Sequence, residues 1–384
     1  MDSSDIRGNG RRSGFALAVG VVLALAACAP AASPAAAPAP APAPAAAPVA
    51  APLQTLVEAA RREGSLSLVW GQGSMGGSEG MARLAQGFNR QYGLNVDVQF
   101  TPGPSMPNMA ARLAEEYRAG RQAATDVMLG YAQHMLILID AGALEPEAWA
   151  SWAPNVQNPH SVEADGRVVT HQTSMAGITY NSSRLTGSAI PKTMADLLKP
   201  QYKGRIASTP YAAGFDWLAV PEAWGEQRVL DYLAVFKDQV AGLIRCNEME
   251  RIATGEFDVL AMQCSQSSPL QAKLKGAPVD FLVPSDAPVQ APLYVAVPKH
   301  AAHPNAAKLW VNYLLSREAQ DVLHESNFQD LHVLPGSKTR NDLTALEQAN
   351  VKPTLITLEF LQRVDEQDFL ARRARIQEII TRGH

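Results

Sequence analysis

Ser65-Leu66-Ser67-Leu68-Val69-Trp70 runs into the glycine-rich residues 71–80, after which Met81, Leu84, Ala85 and Phe88 fall at i, i+3, i+4 and i+7. An alternating segment, a glycine turn and a 3.6-period apolar face spell strand, turn and helix. The pattern then recurs. Residues 94–100 alternate through Val96, Val98 and Phe100, residues 108–119 read as a helix, and Thr125-Asp126-Val127-Met128-Leu129 reads as a third strand. Strand–helix–strand–helix–strand predicts an α/β protein with parallel pairing and right-handed crossovers.

Upstream, residues 53–62 read as a short amphipathic helix. Downstream, residues 145–165 read as irregular, and strand candidates stand at 178–181, 206–209, 257–262, 279–283 and 293–297. Pro304 suits the first turn of a helix whose Ala307, Trp310, Val311 and Leu314 share one apolar face. A last helix over about 365–381 buries Phe369, Ile376 and Ile380, with Arg372, Arg373 and Arg375 expected toward solvent.

With 384 residues the chain is long enough for two domains or one large one, and its net charge of −4 excludes a basic nucleic-acid footprint. The first residues stand apart. Arg7, Arg11 and Arg12 precede an uncharged apolar run over 15–27, too short to span a membrane and suited to a secretory leader over residues 1–27. That run ends in Leu25-Ala26-Ala27-Cys28, which is similar to the processing box of bacterial lipoproteins, a resemblance that implies lipidation of Cys28. Of residues 28–52, 22 are alanine or proline, eight of them proline. Proline at that density excludes a helix and predicts an extended spacer, on the order of 75 Å long at about 3.1 Å per residue. Loss of residues 1–27 removes three arginines and two aspartates and leaves the mature chain near −5.

Cys246 and Cys264 remain. In an oxidising compartment they are expected to pair; neither has a second cysteine or histidine at a metal-ligand spacing. Gly71-Gln72-Gly73-Ser74-Met75-Gly76 fits the dinucleotide pattern, with Asp97 where a ribose partner would lie, but the better reading is a polar lip of backbone N–H groups with Ser74 and Ser78. Gly76-Gly77-Ser78-Glu79-Gly80 fits the hydrolase elbow, yet Ser78 lies some seven residues past the strand that should deliver it. His300 and His303 read as a surface turn, and the eight histidines form no H-E-x-x-H pair. Trp310 is core by periodicity; Trp217 fits core or ligand wall equally well.

Further segments carry a wider resemblance: Thr179-Tyr180-Asn181, Gly255-Glu256-Phe257-Asp258, Val297-Pro298-Lys299, His303-Pro304-Asn305-Ala306-Ala307 and Leu315-Ser316-Arg317-Glu318-Ala319-Gln320. In that order, over about 60–345, the chain resembles the solute-binding lipoproteins of bacterial ABC importers, in the type 2 branch that includes ferric-ion and thiamine binders. The resemblance implies two α/β lobes, each a mostly parallel sheet flanked by helices, joined by a two-segment hinge. Lobe 1 would take 53–172 and 292–345, and lobe 2 would take 173–291 and 346–384. It implies a monomeric, non-enzymatic receptor outside the cytoplasm. Its lipid anchor would hold it beside ABC permease subunits, and it would carry no cofactor.

The family's iron binders use adjacent tyrosines and often a histidine after the first strand. Here none of the nine tyrosines is adjacent to another, and Gln72 and Ser74 follow the strand. In this architecture the cleft is lined by loops after strands, which here supply Gln72, Ser74, Tyr131, Thr173, Ser174, Tyr211, Trp217, Gln263 and Ser265. Hydroxyls, amides and aromatic walls suit a small polar solute, more readily an anionic organic one than a cation.

Overall fold

β1 (Ser65–Trp70) and β2 (Asp97–Pro102) pair in parallel from Ser65 opposite Asp97 to Trp70 opposite Pro102, as the alternation requires. The computed structural model describes residues 51–363 and 366–382. The leader over 1–27, the lipidation site Cys28 and the spacer as far as residue 50 lie outside the described residues. Ala51 and Pro52, read as spacer, open the helix Ala51–Glu63 instead; proline is tolerated in a first turn, where its missing N–H has no partner to lose.

β1 is stitched to the chain just ahead of β3 (Met128–Gly130). The Asp126 N–H donates to Ser67 O (2.8 Å). In return Asp126 Oδ2 accepts from Ser67 N–H (2.7 Å), and the Trp70 indole donates to Val127 O (2.8 Å). Beside the two-stranded β1/β2 pair the first lobe holds a five-stranded sheet in the order β12 (Thr354–Leu355), β11 (Val289–Ala296), β5 (Val168–Met175) and β4 (Val162–Glu163), with β3 also on β11. The second lobe holds five strands in the order β10 (Val279–Leu282), β6 (Gly177–Asn181), β9 (Val259–Gln263), β7 (Ile206–Ser208) and β8 (Val240–Leu243). Helices flank both sheets.

Both sheets are mixed. The expected parallel pairing runs through β1/β2 and through β8, β7 and β9, whereas β6 is antiparallel to both of its neighbours and β11 to β3 and β5. Connectivity is the cause. β5 leaves the first lobe and β11 returns to it, so side by side they must run in opposite directions. β5 stays in the first sheet to Met175, and after Ala176 alone β6 begins in the second. The return path over 283–288 lies alongside, with Ala176 N–H donating to Val289 O (3.3 Å).

Residues 346–384, expected in lobe 2, make contacts with elements around both sheets. β12 pairs with β11, Val289 opposite Thr354, while the helix Glu366–Thr381 carries Arg375 to Glu226 on the helix Glu226–Phe236 (3.0 Å).

Packing follows the apolar faces. Phe88 meets Trp310 and Tyr313 edge-on at 5.3 and 6.0 Å between ring centres, and Trp310 is fully buried, as its periodicity predicts. Burying a side chain of this size contributes roughly 1.5–3 kcal/mol. Phe369, Ile376 and Ile380 are buried as expected. Of the three arginines beside them Arg375 is exposed as expected, while two correct the reading of a solvent face: Arg372 is buried against Asp368 and Glu226, and Arg373 reaches Asp216 (3.0 Å). Their stems cover apolar surface while the guanidinium groups meet carboxylates.

Candidate functional site

Tyr131 stands one residue beyond β3 and caps the helix Ala132–Asp140. Its hydroxyl shares a 3.0 Å hydrogen bond with Ser174 Oγ near the end of β5. Both hydroxyls also reach the Cys264 carbonyl just past β9, at 3.5 and 3.4 Å. The Tyr131 ring meets the Trp217 ring edge-on, 5.1 Å between centres. Trp217 belongs to the short helix Phe215–Leu218, which follows β7 after a turn at Gly214 (φ +76°). Strand ends from both sheets therefore converge where the two lobes meet, the usual location for a ligand in an open α/β sheet.

Cys246 and Cys264 are joined by a disulfide, their Cα atoms 5.8 Å apart. Cys246 N–H donates to the Tyr211 hydroxyl (2.9 Å), and Cys246 O accepts from Gln263 Nε2 (2.9 Å). Tyr211 therefore accepts with its oxygen and keeps its own proton for another partner. The Trp217 indole N–H is buried without a protein acceptor, Gln263 Oε1 without a protein donor, and Ser208 Oγ without a partner of either kind. Buried polar atoms of this kind are normally paired, so unpaired ones beside a cleft await a ligand or water.

Electrostatics keep the site neutral and donating. Burial pushes the Tyr131 hydroxyl up to about 12, the Ser174 bond pulling it part of the way back. Burial likewise raises Tyr211, against the Cys246 N–H. Neither forms a phenolate near neutral pH. His134, under Tyr131, accepts from the Tyr131 N–H through Nδ1 (3.1 Å), which leaves its proton on a buried and unpartnered Nε2. Burial, with Arg373 nearby, holds His134 well below the ordinary histidine range.

Of the nine expected liners, Tyr131, Ser174, Tyr211, Trp217 and Gln263 gather around this disulfide. Thr173 and Ser174 lie within β5 and not in a loop. Alternation turns Thr173 away from Ser174, to His332 Nδ1 (2.7 Å). Burial holds His332 below its usual range, with Arg340 adding to the effect. Ser265 Oγ accepts from Ser267 N–H at the start of the helix Ser267–Leu274. Gln72 and Ser74 stand apart, on the turn after β1. There Gly76 (φ +88°) leaves no room for a side chain: a Cβ would lie 2.4 Å from Ser326 Cβ. Its glycine serves packing, and no phosphate need be invoked.

Ser78 lies exposed in the first turn of the helix Gly77–Tyr92, without the strand-to-helix elbow a nucleophile needs. His303, read as a surface turn, is half-buried on Asp126 (2.8 Å). Sequence reasoning missed His134, His332 and the Asp216–Arg373 pair; the partners of His332 and Asp216 lie far along the chain, and His134 bonds only to the nearby Tyr131 backbone, which no side-chain pattern marks.

Among the described residues, no group of three or more histidine, cysteine, aspartate or glutamate side chains is placed to hold a metal ion. A hollow lined by Arg317, Gln320, Asp330 and Ser337, and another lined by Arg83, Arg90, Glu318 and Glu325, lie on the first lobe. Both exclude the Tyr131 cluster.

The family model described as bacterial extracellular solute-binding protein matches residues 126–355, more than half of the chain. An Fe(3+)-binding periplasmic protein of Serratia marcescens is 28% identical over 153 residues, covering 39% of this chain and 43% of its own. An uncharacterized Haemophilus influenzae protein is 26% identical over 193 residues, 48% of this chain and 54% of its own. The chain thus spans about half the length of the curated relatives it matches. Among solved structures, the periplasmic binding protein AfuA from Actinobacillus pleuropneumoniae, with fructose-6-phosphate bound, superposes with a TM-score of 0.65. It is 20% identical over 83% of this chain and 99% of its own. Iron-bound HitA from Pseudomonas aeruginosa gives a TM-score of 0.61 and 19% identity, over 81% of this chain and 99% of its own. Both likenesses establish a two-lobed binding-protein fold.

Proposed function

The chain belongs to the bacterial extracellular solute-binding protein family, and we propose that it captures a small, acceptor-rich, anionic organic solute between its lobes for delivery to an ABC permease. The family and its solved neighbours are binding proteins and not enzymes. One observation carries the substrate class: around Tyr131 two donors, the Tyr211 hydroxyl and the Trp217 indole, have no protein acceptor, against a single unpaired acceptor, Gln263 Oε1. Oxygen acceptors of a carboxylate, sulfonate or phosphate would complete them. Near the Tyr211 hydroxyl, exposed Arg245 and the Glu248 carboxylate act in opposite senses, so the rim carries both signs of charge.

A ferric ion is the poorer fit. It needs phenolates and carboxylates, whereas Tyr131 hydrogen-bonds to Ser174 and faces a carbonyl, and among the described residues no cluster of acidic, histidine or cysteine side chains stands ready to hold a metal. In the same proposal, Cys28 carries the lipid that holds the receptor at the membrane, residues 29–50 act as the tether, and Gln72, Ser74 and Ser265 join the wall when ligand is bound, while Thr173 supports it from behind through His332. The lobes divide at Ala176 and within 283–288, and the receptor acts as a monomer.

A thermal-shift screen of the protein against sugar phosphates, organic acids, phosphonates, amino acids, thiamine and ferric citrate tests the reading. A ligand at about 100 times its Kd adds about 2.7 kcal/mol. Hits confined to anionic organic solutes are expected; stabilisation by iron alone would overturn the substrate class.

A further inference from the structure

The Cys246–Cys264 disulfide does more than close a surface loop. Its two residues touch four of the five liners that gather at the crossing. On the second lobe, Cys246 gives its N–H to Tyr211 and its carbonyl to Gln263 Nε2. Toward the first lobe, the Cys264 carbonyl lies within reach of both the Tyr131 and the Ser174 hydroxyls (3.5 and 3.4 Å), and since one of these donates to the other, the second supplies the proton the carbonyl accepts. Cys264 N–H also points back at Cys246 Sγ (3.2 Å), so the covalent bond and the backbone geometry of both residues are set together. Cys246 is nearly buried, at 9% exposure.

We propose that this disulfide is a positioning element of the ligand site, fixing the Cys264 carbonyl to which the first lobe's Tyr131 and Ser174 attach and the Cys246 amide that orients Tyr211. The proposal rests on the reading of this crossing as the ligand cleft. Without the bond, Cys246 and Cys264 sit on separate segments, one after β8 and one after β9. Both can then move apart, and both lobes lose a common reference. Preorganisation of this kind acts on affinity by removing ordering costs from the binding step.

The test compares the full chain with its Cys246→Ala/Cys264→Ala variant, without ligand, by hydrogen exchange read on peptides. Exchange is expected to rise roughly tenfold in first-lobe residues 128–135 and 170–176, as loss of a pair of hydrogen bonds implies. A rise confined to 244–266 would overturn the proposal, because the bond would then be a local staple only. Should the variant not fold by circular dichroism, Ser174→Ala decides. It leaves the disulfide intact and is expected to speed exchange at 262–266; no change there counts against the coupling.

A second arm titrates fructose 6-phosphate by calorimetry. If the parent binds it, the variant is expected to bind roughly tenfold more weakly, and equal affinity overturns the positioning role. If the parent does not bind it while first-lobe exchange still rises, the positioning role stands and the choice of ligand fails.

Discussion

Arg373, on the last helix, holds the Asp216 carboxylate at 3.0 Å with the carboxylate buried to 2% exposure. The other oxygen of Asp216 accepts the Trp217 N–H (3.0 Å). A residue eleven from the C-terminus thereby sets the backbone from which the cleft tryptophan projects. Burial raises Asp216 above the ordinary carboxylate range and Arg373 draws it back.

Arg373→Met therefore leaves a buried carboxylate unpaired and is expected to cost about 3–5 kcal/mol. Asp216→Asn in the same chain should return much of that loss, since a neutral amide needs no counter-charge. Urea unfolding of the two single variants and the double variant checks the coupling.

Trp217→Phe keeps a ring against Tyr131 and removes the unpaired indole N–H. Ligand affinity should fall about tenfold, as loss of one hydrogen bond to a charged acceptor implies. The ligand-free protein should lose no more than about 2 kcal/mol from the smaller ring. Calorimetry with a hit from the screen separates the two effects; unchanged affinity would place the indole outside the ligand's reach.

Cys246→Ala/Cys264→Ala removes a cross-link over a sequence separation of 18. Loop-closure entropy for that span is about 3 kcal/mol, which over roughly 330 folded residues at about 2.1 cal/mol/K each lowers Tm by about 4 °C. Differential scanning calorimetry reads it directly.

Stability should decline in acid through the buried histidines. Burial lowers His171 to about 3 and holds His134 well below its usual value. A depressed folded pKa means that the unfolded chain takes the proton first. The stabilisation is whole above about pH 6.5 and is lost as pH falls from there toward 3, at up to about 1.4 kcal/mol per pH unit for each histidine. His171→Gln should flatten the slope of unfolding free energy between pH 6.5 and 4.5 by one proton; an unchanged slope would show that His171 does not titrate as its burial requires.

Several elements were legible because their signals are local. β1 matches its alternation residue for residue, and the helix Pro304–Leu314 starts at the proline that marks it. The resemblance segments also have visible uses. Glu63 accepts from Asn305 and Ala306 N–H at that helix start (3.1 and 2.8 Å), and Gln320 Nε2 donates to His171 O (2.9 Å). β5 was illegible. Thr170-His171-Gln172-Thr173-Ser174 carries no apolar alternation and reads as loop, yet all five residues are buried. Three of them meet distant segments, the Gln172 amide at Gln329 O, Thr173 at His332 and Ser174 at Tyr131, while Thr170 Oγ1 and both His171 ring nitrogens are buried without a hydrogen-bond partner.

What the sequence determined by itself is the α/β alternation, the apolar faces that fill both cores, and a chemistry of hydroxyls, amides and aromatics at strand ends. Hydrophobic period and turn residues act over a few neighbours, so they can be read in order along the chain. Only the tertiary structure decided which of those residues meet. Tyr131, Ser174, Trp217 and Cys264 converge because β5 and β11 cross between the lobes side by side and bring strand ends from both sheets together. Pairings across such separations depend on the packing of the whole chain, and no local pattern encodes them.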